Sequence, residues 1–214
     1  MEEAQTIEKR VKNPVIVRKG WMNKANSPVR YLVEDEVNQL CRACKKERDR
    51  LLILLLFQTG LRISEALALT PASIGEFEGK PAMEIIGKGK KLRMVAVPVH
   101  LREKLESYAY RAKIEPRTRF FDINRSRAWQ ILNEAREAAG IEKRVFPHLL
   151  RHSDAIIRLR KTGNPKALQY HLGHNTPAMT LRYLSTLTQE DALRVQQEVE
   201  FGGRGDGKED FSGG

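Results

Sequence analysis

Apolar residues recur at helical spacing along most of the chain from residue 31 onward. In residues 33–44 they fall three or four positions apart, which is typical of an amphipathic helix. Residues 48–58 contain an unbroken apolar run, which predicts a helix at the centre of the core. Further helices are predicted to begin at residue 64 and to cover residues 99–113, 125–139, 148–161, 165–172, 177–183 and 189–200.

Shorter stretches of alternating apolar and polar residues predict strands. Residues 81–86 and 92–98 have this pattern and are joined by the glycine- and lysine-rich turn GKGKK, which predicts an antiparallel hairpin. Residues 119–121 (RFF) predict a third short strand. Together the elements predict a mainly helical α+β domain with a small antiparallel sheet over residues 31–200.

Composition narrows the class of protein. The chain has 214 residues, of which 41% are hydrophobic and 30% charged, as is typical of a folded domain. Its longest apolar run, residues 51–57, is far shorter than the roughly 20 residues of a membrane-spanning helix, and its acidic N-terminus does not resemble a signal peptide. Cys41 and Cys44 have a C-x2-C spacing without a second pair, so packed thiols in a reducing interior are expected rather than a metal site or a disulfide.

Positive charge is concentrated in three places. The chain carries 38 lysines and arginines against 27 acidic residues, a net charge of +11, which favours a polyanionic partner. Residues 1–30 predict a basic N-terminal arm, and the other clusters lie in residues 87–93 and 142–161. Each cluster alone is typical of a solvated surface, but three around one folded body favour contacts with phosphates. Residues 201–214 predict a flexible, glycine-rich tail.

Arg62 has an unusual setting for a surface charge, because it directly follows the apolar helix and a glycine turn in residues 60–65 (GLRISE). Two interpretations stay open. Arg62 forms a buried ion pair with Glu65, or the core holds it rigidly so that its planar guanidinium grips a phosphate. The basic turn at residues 87–91 lacks the G-x-x-x-x-G-K-[ST] pattern of a P-loop and is interpreted as a hairpin turn.

Several polar residues in the last third of the chain are candidates for chemistry. His148 and Arg151 lie one helical turn apart, so that imidazole and guanidinium can converge on one anion, although a surface pair is the alternative. His171 and His174 have a metal-like spacing, but no nearby carboxylate or third ligand completes a zinc site. Tyr183 alone is typical of a half-buried packing residue.

Taken in order, these motifs resemble the catalytic domain of the tyrosine recombinases, which include phage-type integrases and Xer-like enzymes and share their chemistry with type IB topoisomerases. The motifs are residues 59–67 (TGLRISEAL), 87–91 (GKGKK), 148–153 (HLLRHS) and 172–174 (LGH), followed by Tyr183. Each motif is weak alone, but all five occur in the family's order. The resemblance covers about residues 31–195 and implies the fold of that catalytic domain.

The resemblance implies roles for the cationic and histidine side chains. Arg62 and Arg151 correspond to the two arginines that clamp the scissile phosphate. His148 corresponds to the histidine of the H-x-x-R motif, and His174 to the second histidine, which hydrogen-bonds the phosphate. These roles agree with general chemistry, because phosphodiester attack depends mainly on charge neutralisation and in-line placement.

The nucleophile and the hairpin lysine complete the implied site. Tyr183 corresponds to the nucleophile, whose phenol has a pKa of about 10 and needs positive neighbours to ionise. Lys88 corresponds to the lysine that protonates the leaving 5′ oxygen, and Lys90 competes for that role in the same turn. Lys90, Lys91 and Arg93 are expected to contact DNA. The family's chemistry implies no metal and no cofactor.

The function implied is that of a site-specific DNA recombinase. Such an enzyme cuts and rejoins DNA strands through a 3′-phosphotyrosyl intermediate during integration, excision or inversion. A non-catalytic DNA-binding regulator that keeps the recombinase fold is the alternative, although all six catalytic positions carry competent residue types. The expected partners are double-stranded DNA and further copies of the chain, as a dimer or tetramer on DNA. No membrane partner is expected, and a cytoplasmic location in a prokaryote, or an origin in a virus or mobile element, is implied.

The chain departs from the family in two ways. Family members usually carry a helical domain ahead of the catalytic one, for which residues 1–30 are too short, so the chain is either a catalytic-domain fragment or a naturally short recombinase of the fimbrial-switch type. Asp154 stands where family members more often have an aromatic residue. The C-terminal segment at residues 187–199 is predicted as a helix of the kind that docks on a neighbouring protomer in the family.

Overall fold

The computed structural model of the chain describes residues 31–87 and 92–199. The predicted arm of residues 1–30 and the tail of residues 201–214 lie outside the described residues. The helices are α1 (Glu34–Ala43), α2 (Glu47–Thr59), α3 (Ile63–Ala66), α4 (Val99–Arg111), α5 (Arg125–Ala138), α6 (Pro147–Thr162), α7 (Pro165–Leu172), α8 (Pro177–Leu181) and α9 (Gln189–Gln197). The strands are β1 (Ile74–Phe77), β2 (Lys80–Ile86) and β3 (Leu92–Ala96).

Helix α2 is the central element, because it is apolar on every side. All residues from Leu51 to Phe57 are buried, and the helix packs against α1, α4 and α6. This confirms the predicted central helix. Within residues 31–87 and 92–199, no helix is long and apolar enough to cross a membrane, α2 included.

The sheet is antiparallel, with the order β1-β2-β3. Met83 and Ile85 of β2 and Val95 of β3 face the core, as the period of two along a strand requires. The hairpin between β2 and β3 is confirmed, with Ile86 paired to Leu92 on either side of the lysine-rich turn. Gly87 and Leu92 therefore lie at the same end of the sheet.

The prediction of a third strand at residues 119–121 is wrong. This segment is not paired in the sheet, and Phe120 and Phe121 are both buried, whereas successive residues of a strand point to opposite faces. The third strand is instead β1, whose residues are mostly exposed and carry no apolar alternation. Strand β1 is joined to β2 by the tight turn Glu78-Gly79, in which both residues have positive φ, the geometry that fits a two-residue hairpin.

Two hydrophobic clusters lie on either side of α6. The larger one is built around α2 and receives Leu150 from α6. The smaller one contains Ala155, Ile156 and Leu159 of α6 together with buried residues of α7 and Tyr183. Helix α6 therefore connects the central core to the segment that carries the tyrosine.

The two cysteines are packed thiols, as the sequence predicts. Both are buried and free. The Cys44 thiol donates to the Leu40 carbonyl oxygen at 3.3 Å. Burial raises the pKa of Cys41 to about 12 and that of Cys44 to about 11, so both thiols are protonated at neutral pH.

Gly60, which ends α2, lies very close to α6 and α7. Its φ is +59°, a left-handed conformation that glycine adopts without strain. A Cβ atom at this position would lie 2.4 Å from Asp154 Oδ2 and 2.8 Å from Leu172 Cδ2. Both the backbone conformation and the close approach of α6 and α7 therefore require a residue without a side chain.

We expect Gly60→Ala to destabilise the fold more than Gly140→Ala. Both glycines have positive φ, but a Cβ at Gly140 meets nothing within 4 Å. The backbone term of about 1–2 kcal/mol is therefore common to both variants, and overpacking adds about 1–3 kcal/mol at Gly60 alone. Urea unfolding of both variants measures the difference, and equal losses in the free energy of unfolding would contradict the close approach.

Candidate active site

Three successive backbone carbonyls at the C-terminal end of α7 each accept a hydrogen bond from a different arginine. The last carbonyls of a helix have no intrahelical partner and carry the negative end of the helix dipole, so they attract cations. Gly173, with a φ of +63°, ends the helix and turns its backbone toward the site. The three hydrogen bonds are Arg93 Nε to His171 O (3.3 Å), Arg151 Nη2 to Leu172 O (2.7 Å) and Arg62 Nη2 to Gly173 O (3.2 Å).

Arg151 is the most deeply placed of the three, with 3% of its surface exposed. Its second terminal nitrogen, Nη1, donates to the carbonyl oxygen of Gly60, so its guanidinium spans the gap between the end of α2 and the end of α7. Burial and the nearby charge of Arg62 lower its pKa to about 10. Arg151 therefore remains positively charged at neutral pH.

Glu65 is the carboxylate that holds the other two arginines. Its side chain is 5% exposed. Arg93 donates to both of its oxygens at 2.9 Å, and Arg62 Nη1 donates to Oε1 at 3.0 Å. Burial alone would raise the pKa of Glu65, but the hydrogen bonds from Arg93 and Arg62 outweigh it and lower the pKa to about 2. Glu65 is therefore fully ionised near neutral pH.

Arg62 forms the ion pair with Glu65 that the first interpretation predicts, and its grip on a phosphate stays a prediction. Arg62 pairs with Glu65, yet its side chain is 34% exposed, so one side of the guanidinium is held by Glu65 and the other is open to solvent. Arg93 is predicted to contact DNA, but in the DNA-free protein its side chain contacts other residues of the site. Its side chain is 13% exposed and is engaged by Glu65 and the His171 carbonyl, which places it behind Arg62.

The two predicted histidines lie on opposite sides of Arg151 in the chain. His148 is exposed in the first turn of α6. His174 follows α7, and its Nδ1 lies 2.7 Å from Thr180 Oγ1. Burial lowers the pKa of both rings, and Arg151 lowers it further, to about 4 for His174. Both imidazoles are therefore neutral at pH 7 in the DNA-free protein.

Tyr183 is 2% exposed and lies between two imidazole rings. Its ring centre is 6.3 Å from that of His174, with the planes 14° apart, and 5.2 Å from that of His152. Burial raises the pKa of the Tyr183 phenol, against the effect of Arg151 and Arg182. The phenol is thus protonated at neutral pH in this arrangement.

His152 is the site residue that sequence reasoning did not single out. It lies four residues after His148, so both fall on the same face of α6, and burial together with His148 lowers its pKa. This four-residue spacing from His148 is the feature of the sequence that could have indicated His152. The predicted lysines of the turn (Lys88, Lys90 and Lys91) lie outside the described residues.

A surface groove of about 460 Å³ opens in front of Arg62. Its lining includes Arg93, Lys166 and His174, and also Gly87 and Leu92, which flank the lysine-rich turn. Basic side chains and a neutral imidazole in one open groove suit a phosphate of a long polymer more than a small enclosed ligand.

The histidine spacing that resembles a metal site has another explanation. Within the part of the chain that the structure describes, no group of three or more His, Cys, Asp or Glu side chains is arranged so that it could hold a metal ion. His174 faces Thr180, whereas the imidazole of His171 faces Asp154, so the two rings have different neighbours.

Comparison with known proteins identifies the family. Residues 30–190 match the model of the phage integrase family. The chain belongs to this family. A tyrosine recombinase from Pseudothermotoga lettingae is 35% identical over 179 residues, which cover 80% of this chain and 62% of that protein. The chain therefore spans less than two thirds of the length of this relative.

Solved structures of family members share the fold. The crystal structure of XerA recombinase is 28% identical, with a TM-score of 0.64, and the match covers 81% of this chain and 66% of that one. The catalytic domain of bacteriophage HP1 integrase is 27% identical, with a TM-score of 0.59, and the match covers 77% of this chain and 93% of that domain. The chain thus has the predicted fold of a tyrosine recombinase catalytic domain.

We expect Glu65→Gln to lower the free energy of unfolding by about 3 kcal/mol at pH 7, because it leaves the mostly buried Arg93 and the partly exposed Arg62 without their countercharge. The pKa of Glu65 is lowered from 4.5 to about 2, so its stabilising effect is present above pH 4.5 and disappears as the pH falls through 2. Unfolding measured across this range should show the variant approaching the wild type. Glu134→Gln, which removes an exposed carboxylate, is the control and should have little effect.

We expect the His174 ring to titrate near pH 4 in the DNA-free protein, because burial and the surrounding arginines oppose its protonation. The ring proton signals, followed by NMR as the pH is lowered and assigned with a His174→Gln variant, give the midpoint. A midpoint at or above 6.5 would mean that the ring is not enclosed by this cationic site.

Proposed function

We propose that the chain is the catalytic domain of a site-specific DNA recombinase that cuts and rejoins strands through a 3′-phosphotyrosyl intermediate. One observation supports this most strongly, the convergence of Arg62, Arg151 and His174 beside Tyr183. These are the cations, the donor and the nucleophile that the reaction needs, and they come from four separate segments of the chain. The family relationship supports the same reaction.

In the proposed cleavage step, the Tyr183 hydroxyl oxygen attacks a DNA phosphorus atom while the bond to the 5′ oxygen breaks. Arg62 and Arg151 stabilise the charge that builds up on the non-bridging oxygens. The phenolic proton passes to one of the neutral imidazoles of the site. The leaving 5′ oxygen receives a proton from Lys88, the role implied for it by the family resemblance.

Tyr183 must become accessible before this step. Its side chain is almost fully buried, and its raised pKa keeps it protonated. Helix α8 and the turn after it carry the tyrosine, and they contact the rest of the domain mainly through α7. Cleavage therefore includes an outward movement of this segment, after which a phosphate held by the arginines replaces the histidine contacts.

The proposed substrate is duplex DNA, and the proposed active form is a dimer or tetramer assembled on it. Strand exchange joins strands from two duplexes, so more than one nucleophile is needed at the junction. The net charge of +11 supports tight, salt-sensitive binding. The location proposed is the cytoplasm of a prokaryote, where a recombinase meets its DNA.

We expect wild-type protein to form a covalent adduct with nicked duplexes, in which loss of the short fragment prevents religation. A library of nicked duplexes resolved on denaturing gels detects the adduct, and exonuclease digestion locates the protein on the 3′ end. Tyr183→Phe should form none, because it lacks the attacking oxygen.

Tyr110→Phe is the matched control, since Tyr110 is an exposed tyrosine on α4 that does not line the groove, and its loss should leave the adduct intact. An adduct in Tyr183→Phe would overturn the assignment of the nucleophile. Binding of duplex DNA without any wild-type adduct would favour the alternative function, a non-catalytic regulator with the recombinase fold.

A further inference from the structure

Arg151 is one polar connection between the end of α2 and the end of α7, and a second group of polar contacts, centred on Asp154, lies beside it. Asp154 is three residues further along α6, on the same face as Arg151, and its side chain is 4% exposed. Its Oδ1 accepts a hydrogen bond from Arg158 Nε at 2.7 Å. Arg158 Nη2 in turn donates to the carbonyl oxygen of Gln58 at 2.6 Å, just before α2 ends. The carboxylate is thereby tied to the end of α2.

The other carboxylate oxygen of Asp154 faces α7. Oδ2 lies 3.6 Å from His171 Nε2, and the imidazole is 11% exposed. Both atoms are buried, and neither has a hydrogen-bond partner among the residues that the structure describes. A distance of 3.6 Å is slightly too long for a hydrogen bond. A small approach of α7 toward α6 closes this contact and satisfies both groups.

Asp154 also touches the backbone at Gly60. The position of the missing Cβ of Gly60 lies 2.4 Å from Asp154 Oδ2, so the carboxylate fills the space that a side chain would occupy. Two bridges consequently connect the same two backbone segments. In one, Arg151 donates to the carbonyls of Gly60 and Leu172; in the other, the Asp154 carboxylate packs over Gly60 and lies 3.6 Å from the ring of His171.

We propose that Asp154 and His171 form a positioning pair that sets the separation between Gly60 and the end of α7, and so places the guanidinium of Arg151. Neither residue touches the reacting atoms. They act through the carbonyls of Gly60 and Leu172 and, because the His171 carbonyl accepts from Arg93, also through the contact that supports Glu65. The catalytic consequence of this pair rests on the proposed function.

The chemistry of the pair favours positioning over simple stabilisation. A buried carboxylate and imidazole gain little net stability, because desolvation offsets most of their attraction. Their attraction is directional, however, and it acts across the gap that Arg151 must span. Asp154→Asn keeps the shape and removes the charge, and His171→Gln keeps a polar side chain but removes the ring.

The first measurement uses DNA-free protein. Backbone amide exchange at Gly173 and His174, whose N–H groups cap α7, should become about 10-fold faster in Asp154→Asn and in His171→Gln. Asp49→Asn is the matched control, because Asp49 is also a buried aspartate paired with an arginine, at the opposite end of α2. Unchanged exchange at the α7 cap in both variants would overturn the positioning pair.

The second measurement is single-turnover cleavage of the nicked duplex that forms an adduct with wild type. Each variant should cleave about 10- to 100-fold more slowly, as expected for misplacement of a catalytic group, with unchanged affinity for the duplex and a thermal midpoint near that of Asp49→Asn. The double variant should lose no more than the slower single variant, because both changes break the contact between Asp154 and His171 and Asp154→Asn alone already removes the ion pair with Arg158.

The outcomes separate this inference from the proposed function. Wild-type cleavage rates in both variants, or losses that multiply in the double variant, would contradict the pair while the recombinase function stands. If wild-type protein forms no adduct with any duplex, the proposed function fails, and the exchange experiment alone decides whether Asp154 and His171 position the end of α7.

Discussion

The end of α7 is the physical constraint on which the site depends. Three guanidinium groups repel one another, and they can be gathered only where the backbone supplies matching negative potential. The last carbonyls of α7 supply it, because a helix terminus leaves them without partners. Gly173 turns the chain at that point, so that the three carbonyls accept hydrogen bonds from arginines that lie just before α3, in β3 and in α6. The rest of the fold brings those elements to one helix end.

A single carboxylate balances this concentration of charge. Glu65 joins Arg62 to Arg93 and leaves the exposed face of Arg62 unneutralised. Arg151 has no carboxylate of its own within hydrogen-bond distance among residues 31–87 and 92–199; it is held by backbone oxygens. The site thus keeps a surplus of positive charge in a partly desolvated setting, where it attracts an anion strongly. Burial, and after it this surplus of positive charge, lowers the pKa of the nearby imidazoles and keeps them neutral, so that they can accept a proton.

Local patterns predicted the elements whose surroundings depend on residues that are near in the chain. Helix α2 was predictable because it is apolar on all sides, and Arg62 stood out because it follows directly after it. The supporting role of Arg93 was not predictable, because its partners Glu65 and His171 lie 28 and 78 residues away. Strand β1 was not predicted, because it is held in place by pairing with β2 and has no apolar face. Phe120 and Phe121 suggested a strand because aromatic residues are common in strands. Both are buried by tertiary packing instead, which a local pattern does not reveal.

The close approach at Gly60 also constrains how this chain can change over evolutionary time. The carboxylate of Asp154 occupies the volume above the Gly60 Cα atom and faces His171. A change at one of these three positions alters the space or the charge available to the other two. We expect that a substitution at position 154 is accommodated best when position 171 changes with it.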